Sequence, residues 1–124
     1  MGASLGDRTV LIVEDEPLVA LDIAQAFEHV GAIVVRARSL ADASRLVEQH
    51  GLSAAVLDFG LGDGDAEALC DRLNERAVPF VLHSGYTHMG ESCRSGIVVP
   101  KPANPATLID AIVRAISHSG GGHA

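Results

Sequence analysis

The sequence is poor in aromatic residues and contains no tryptophan. Aromatic residues make up 3% of the 124 positions, whereas hydrophobic residues make up 48%. A core must therefore be built from Val, Leu, Ile and Ala, which suits helices packed on a sheet. A chain of this length is expected to form one domain. We place that domain at residues 9–117, between an N-terminal tail, 1–8, and a flexible C-terminal tail, 118–124.

Basic charge is also scarce, because nine basic residues stand against sixteen acidic ones and give a formal net charge of -7. A general nucleic-acid-binding surface requires a basic face, so that class of partner is not expected. No apolar run approaches the length of a membrane span, and the N-terminus lacks the pattern of a secretory signal. We therefore expect a cytoplasmic protein with neither nucleic acid nor membrane among its partners.

Residues that bind soft metals are few and badly spaced for a metal site. Cys70 and Cys93 lack metal-type spacing, and two cysteines are too few for a disulfide framework. We interpret them as reduced, inert thiols rather than as a redox pair, which matches a cytoplasmic location. His83 and His88 are interpreted as partly exposed loop residues, because no set of partner ligands accompanies them.

Short apolar runs do alternate regularly with stretches of helical spacing. The runs predict strands at residues 9–13, 32–36, 53–57, 79–83 and 97–99. Helix signals include Pro17 after the first strand, Ser39 after the second and Asn104 before the last amphipathic stretch. The segment 87–95 has only weak helical patterning. This alternation predicts an α/β domain, with a parallel sheet between two layers of helices.

Polar residues follow four of the five predicted strands: Glu14 and Asp15, then Asp58, Ser84 and Lys101. The carboxyl ends of parallel strands form the functional crevice of such folds. Carboxylates gathered there repel one another and are suited to a hard cation, Mg²⁺ before Zn²⁺. Mg²⁺ commonly binds phosphate oxygens as well, for which Lys101 and Ser84 would be partners. The pattern indicates phosphoryl transfer, with Asp58 as the acceptor carboxylate.

The stretches LIVEDEP, VLDFGLGDGDAEAL, VLHSGY and VPKP, in this order and each at a strand end, resemble the receiver domain of bacterial two-component response regulators. The likeness covers about residues 9 to 117. It implies a three-layer α/β/α doubly wound fold of the flavodoxin-like type, with five parallel strands in the order 2-1-3-4-5. It also implies that Asp58 is the phosphoacceptor and a metal ligand, and that Asp15 binds Mg²⁺ directly. Glu14 would act through water, and the backbone carbonyl of Gly60 would complete the coordination.

The same resemblance assigns Ser84 to contact with the phosphoryl group and Lys101 to its charge, with a cis peptide bond before Pro102. The chain departs from the common pattern at Val98, where most receivers have an aromatic residue on the fifth strand. Tyr86, two residues after Ser84, is a candidate switch residue instead. These features are similar to the "FAT GUY" subfamily of receivers, which occurs with histidine kinases of the HWE type or a related class.

We therefore expect a stand-alone receiver that accepts a phosphoryl group on Asp58 from a histidine kinase or a phosphotransfer protein, with Mg²⁺ as cofactor. It would signal to a downstream protein through altered contacts. Phosphorylation would reorder the loop after the fourth strand, together with the face formed by the fourth helix, the fifth strand and the last helix. It would not be a conventional enzyme, since it would catalyse only its own phosphorylation and dephosphorylation. A phosphate sink or shuttle, or an adaptor independent of phosphorylation, are the alternatives. A phosphohydrolase would need a second acid where Gly60 stands.

Overall fold

The computed structural model describes residues 5–49, 51–58, 66–85 and 90–121. Within these ranges five strands alternate with four α-helices, and one short 3-10 helix precedes the last strand. The strands are β1 Thr9–Val13, β2 Ile33–Ala37, β3 Ala54–Asp58, β4 Phe80–Ser84 and β5 Ile97–Pro100. The α-helices are α1 Pro17–His29, α2 Leu40–Gln49, α3 Ala66–Glu75 and α4 Pro105–Gly121, and the 3-10 helix is Cys93–Ser95.

The five strands form one parallel sheet in the order β2-β1-β3-β4-β5, which confirms the predicted topology. One apolar cluster fills the space between the sheet and helices α1 and α4, around Phe27 and Ile112. A second cluster lies on the opposite face with α2 and α3, around Leu11 and Leu73. Strands β3 and β4 are buried along their whole length because helices cover both of their faces. The three-layer arrangement is therefore confirmed.

The sequence signals for helix starts are confirmed by local geometry. Pro17 stands at the start of α1, where its missing N–H is not needed. The Ser39 hydroxyl accepts a hydrogen bond from the Asp42 N–H at 3.0 Å, and Asn104 Oδ1 accepts one from the Thr107 N–H at 3.0 Å. Each cap uses a donor that the first helical turn would otherwise leave without a partner.

The connection between β4 and β5 differs from the alternation that the sequence pattern predicts. We call residues 90–96, the described part of it next to β5, the connecting segment. It forms a turn followed by the three-residue 3-10 helix, and none of its residues lies in an α-helix. Gly96 packs closely on β4, because a Cβ there would lie 2.5 Å from the Phe80 ring. In the described residues 90–96 the 3-10 helix thus stands where the alternation implied an α-helix, at a segment whose helical patterning in the sequence is weak.

Outside residues 9–117, the described residues at each end also have defined structure. Leu5 is buried in the first core cluster, and its N–H donates to the Val30 carbonyl at 2.9 Å. At the other end, α4 continues to Gly121. Among the described helices, none is both long enough and apolar enough to cross a membrane.

Candidate functional site

Three carboxylates meet at the carboxyl edge of the sheet. Asp58 is the last residue of β3, and Glu14 and Asp15 follow β1 directly. One ligand oxygen from each of the three side chains lies within 4.8 Å of the others. Glu14 and Asp58 are buried, whereas Asp15 is exposed and leaves the cluster open to solvent on one side. An all-oxygen set of this size fits a hard divalent cation that retains some of its water, so these residues suit Mg²⁺.

The burial of Glu14 has an electrostatic consequence. Removal from water raises the pKa of this carboxyl from 4.5 to about 7. A hydrogen bond from the Glu16 N–H at 3.1 Å opposes the rise, whereas the neighbouring Asp58 carboxylate adds to it. Because the buried Glu14 and Asp58 carboxyl groups lie so close together, the negative charge of one makes ionisation of the other less favourable. A divalent cation would offset that repulsion, so the electrostatics of the cluster, like its ligand atoms, suit a metal ion.

Lys101 supplies a positive charge next to Asp58. Its ammonium group forms an ion pair and hydrogen bond with Asp58 Oδ1. The loop that carries Lys101 is attached to β4, because the Lys101 N–H donates to the Ser84 carbonyl at 2.9 Å. The Lys101–Pro102 peptide bond is cis, as the family resemblance implies. Ser84 ends β4 and is buried, so the structure places its backbone beside the lysine loop.

His83 is not the partly exposed loop residue that the sequence suggested. It lies within β4, is 7% exposed, and pairs in register with Asp58. Residues paired in a parallel register point to the same face of the sheet, so the imidazole lies on the Asp58 side. Burial and the nearby Lys101 ammonium lower the pKa of His83, and Asp58 opposes them weakly. Neither ring nitrogen has a hydrogen-bond partner in the described part of the chain.

Further sequence predictions concern the ligand set, the switch, a loop histidine and the fifth strand. Gly60, the predicted backbone ligand, and Tyr86, the candidate switch residue, lie outside the described residues, as does His88. Val98 is 42% exposed on β5 and faces solvent, where the common receiver pattern has an aromatic ring.

Glu67 has a role that the sequence did not reveal. Its carboxylate accepts backbone N–H bonds from Gly90 at 2.7 Å, Ser92 at 3.1 Å and Cys93 at 3.2 Å. A Cβ at Gly90 would lie 2.5 Å from the Glu67 carboxyl carbon, so a larger residue there would require the Glu67 carboxylate to shift. Glu67 thus caps the 3-10 helix from α3. A cap that comes from another helix leaves no local sequence pattern, so this role of Glu67 could not be predicted from the sequence.

The cysteines also differ from expectation, because the interpretation as two reduced thiols is wrong for this structure. Cys70 and Cys93 form a disulfide, with their Cα atoms 5.1 Å apart. Cys70 lies on the buried face of α3, and the 3-10 helix packs against that face. The fold therefore juxtaposes two side chains whose spacing along the chain carries no such signal.

Comparisons with known proteins agree with this geometry. Residues 10–113 match the family model of the response regulator receiver domain. The chain is 30% identical over 114 residues to the phyllosphere-induced regulator PhyR of Methylorubrum extorquens, covering 86% of this chain but only 43% of that protein. It therefore spans less than half of that relative's length.

Solved structures share the fold. A CheY-like receiver domain protein from Methanospirillum hungatei matches with a TM-score of 0.82 and 21% identity, over 94% of this chain and 99% of that one. A response regulator from Burkholderia pseudomallei, solved with a phosphorylated aspartic acid, a calcium ion and citrate, matches with a TM-score of 0.73 and 20% identity, over 94% and 71%. The match to the family model, over most of the chain and on this fold, means that the protein belongs to the response regulator receiver domain family.

Proposed function

We propose that this receiver accepts a phosphoryl group on Asp58 from the phosphohistidine of a histidine kinase or phosphotransfer protein, in a reaction that requires Mg²⁺. The observation that carries the proposal is the position of the Asp58 carboxylate. A ligand oxygen of Asp58 lies within 4.8 Å of ligand oxygens of Glu14 and Asp15, and the Lys101 ammonium pairs with the same carboxylate. An acceptor with a cation site and a fixed ammonium beside it is what transfer of a charged phosphoryl group needs.

In the proposed reaction an Asp58 carboxylate oxygen attacks phosphorus and forms the acyl phosphate bond. The phosphorus–nitrogen bond of the donor breaks, and the imidazole leaves with its electron pair and takes up a proton. Asp15 and Asp58 would hold Mg²⁺ directly, with Glu14 acting through water and the carbonyl of Gly60 as the predicted fourth protein ligand. When bound, Mg²⁺ neutralises negative charge on the phosphoryl oxygens.

Lys101 would change partner during this step. In the unphosphorylated protein its ammonium pairs with Asp58 Oδ1. Formation of the acyl phosphate moves the negative charge from the carboxylate to the phosphoryl oxygens, so the ammonium would follow that charge. The hydrogen bond from the Lys101 N–H to the Ser84 carbonyl joins this movement to the end of β4. The Ser84 hydroxyl would then donate to a phosphoryl oxygen, which shifts the population of conformers downstream of β4.

The signalling arm of the proposal concerns a protein partner. The relative named as a regulator and the structural neighbour with a phosphorylated aspartic acid both support a receiver used in signalling. We propose a cytoplasmic protein that changes the activity of a downstream protein by contact and catalyses only its own phosphorylation and dephosphorylation. An HWE-type kinase and membership of the "FAT GUY" subfamily remain predictions from the sequence.

The test is phosphorylation by a small-molecule phosphodonor such as acetyl phosphate. Wild type should gain the mass of one phosphoryl group with Mg²⁺ and should not gain it with a chelator. Asp58→Asn should abolish the gain, whereas Asp110→Asn, which changes an exposed carboxylate on α4, should leave it intact. A gain that persists in Asp58→Asn, or no gain in wild type, would overturn the proposal.

A further inference from the structure

We propose that Cys70 and Cys93 form a reversible thiol–disulfide site whose redox state controls how easily the receiver switches. The disulfide joins α3 to the connecting segment, residues 90–96, which lead into β5. In its oxidised state it would hold that segment on α3, and in its reduced state it would release it. The effect on switching rests on the proposed phosphoacceptor function, whereas the effect on the segment does not.

Besides the disulfide and the packing of Cys93 in the second core cluster, the connecting segment has several polar attachments to α3. Glu67 accepts three of its backbone N–H groups. The Asn74 amide donates to the Ser92 carbonyl at 3.0 Å, and its oxygen accepts from the Ser95 hydroxyl at 2.9 Å. The Asn74 contacts lie at an exposed position, where water competes with each hydrogen bond. The disulfide is the covalent link within this set, so its reduction leaves bonds that can break and re-form quickly.

The disulfide would limit movement of the connecting segment because of what lies at the two ends of that segment. At the C-terminal end, Gly96 lies so close to the Phe80 ring that this end is held on β4. At the N-terminal end the chain comes from Ser84, the residue proposed to move toward the phosphoryl group. A shift that starts at Ser84 must therefore be absorbed before Gly96. Cys93 lies within that interval, and its covalent link to Cys70 prevents the backbone there from leaving α3.

Both sulfur-bearing residues are 0% exposed, which limits how they can react. Thiol–disulfide exchange requires direct attack on sulfur, so the connecting segment must lift from α3 before a reagent enters. In the reduced state the Cys93 thiol would have an acceptor, because its sulfur lies 3.5 Å from the Ala66 carbonyl oxygen. The rate of thiol–disulfide exchange would thus report how often the connecting segment lifts from α3, which is the movement proposed for switching. Coupling between two such events is reciprocal, so phosphorylation should also change the reactivity of the cysteines.

The chemistry is a two-electron exchange with a dithiol or a low-molecular-weight disulfide. For reduction, a thiolate of dithiothreitol attacks one sulfur and forms a mixed disulfide, and its second thiol closes the ring. The protein disulfide gains two electrons and two protons, and the reagent leaves as a cyclic disulfide. Oxidised glutathione drives the reverse reaction and leaves as two glutathione thiols. In the proposed cytoplasmic setting, disulfides are usually transient or redox-sensing, which favours a reversible site over a permanent one.

The first experiment compares oxidised and reduced wild type without any phosphodonor. Intact mass after alkylation of free thiols should show that oxidised glutathione closes the bond and that dithiothreitol opens it. Amide hydrogen exchange in residues 90–96 should be about fivefold or more faster in the reduced protein, and unchanged in β1. A bond that does not form, or equal exchange in both states, would overturn the proposal. Because wild type is used throughout, a variant that folds poorly cannot obscure the result.

The second experiment measures the lifetime of phosphorylated Asp58 in both redox states. Lifetimes should differ by about fivefold or more between oxidised and reduced wild type. In the double variant Cys70→Ala/Cys93→Ala, dithiothreitol should have no effect, which excludes a general action of the reagent. Equal lifetimes in the two wild-type states would overturn the link to switching. If neither redox state becomes phosphorylated, the proposed function is refuted instead. The amide hydrogen exchange of the first experiment would then decide alone whether the disulfide holds the connecting segment on α3.

Discussion

The substitution Glu14→Gln tests the electrostatics of the site through folding stability. Burial raises the pKa of Glu14 from 4.5 to about 7 in the folded protein. Between these values the unfolded chain releases its proton while the folded protein keeps it, so the free energy of unfolding falls as pH rises. Below pH 4.5 the Glu14 carboxyl is protonated in both states and does not change the free energy of unfolding. Above pH 7 it is ionised in both states and lowers the free energy of unfolding by a constant amount. A tenfold change in proton affinity is about 1.4 kcal/mol, so the full cost is roughly 3 kcal/mol.

The assay is urea denaturation with a chelator present, at several pH values from 4 to 8. Glu14→Gln removes the charge but keeps an oxygen that can accept the Glu16 N–H. We expect the variant to be more stable than wild type by roughly 3 kcal/mol at pH 8 and equally stable near pH 4. Mg²⁺ added at pH 8 should stabilise wild type more than the variant, because it neutralises the charge that the variant lacks.

Glu16→Gln is the matched control, since Glu16 is an exposed carboxylate outside the cluster. It should change the free energy of unfolding by no more than about 0.5 kcal/mol at any of these pH values. The reasoning is refuted if the difference between Glu14→Gln and wild type is the same at pH 4 and pH 8. It is also refuted if Glu16→Gln reproduces the pH dependence.

Three further predictions concern stability. Reduction of the Cys70–Cys93 disulfide, which spans 23 residues of sequence, should lower the free energy of unfolding by roughly 3 kcal/mol, as urea denaturation with and without dithiothreitol will show. His83→Leu should raise stability by about 1 kcal/mol or more at neutral pH, because two unpartnered ring nitrogens are removed. That gain should grow as pH falls below 6.5, since the lowered pKa makes protonation favour the unfolded wild type; a constant gain would contradict this. Gly96→Ala should cost about 1–3 kcal/mol in thermal or urea denaturation through its clash with the Phe80 ring, and an unchanged midpoint would refute the close packing.

Much of the fold and the described part of the site follow from rules that act along the chain. Alternation of apolar runs and helical spacing predicts a parallel sheet, and parallel strands place their carboxyl ends on one edge. Asp58 and Lys101 could therefore be predicted to meet although 43 residues separate them. The strand limits were less accurate. Asp58 and Ser84 are the final residues of β3 and β4 rather than the first residues beyond them, because pairing continues as far as the neighbouring strand allows.

The features that escaped prediction depend on contacts between elements that no periodic pattern encodes. Glu67 caps a turn that lies more than 20 residues further along the chain, so its role exists only once α3 and the connecting segment are packed together. Cys70 and Cys93 approach each other for the same reason. From the sequence alone His83 is interpreted as a partly exposed loop residue because no partner ligands accompany it, although it stands at the end of the predicted strand 79–83. Its burial follows from its pairing with Asp58 at the carboxyl end of β3, which lies between helices on both faces of the sheet.

The central claim is that the phosphoryl group is carried by Asp58, and it can be tested by trapping the acyl phosphate. Protein treated with acetyl phosphate and Mg²⁺ is reduced with borohydride, which converts a phosphorylated aspartate to homoserine, and the peptides are sequenced by mass spectrometry. The account predicts homoserine at position 58 and at no other aspartate, with none formed when Mg²⁺ is withheld. Homoserine at Asp15, or its absence from position 58 in protein that has gained a phosphoryl group, would contradict it.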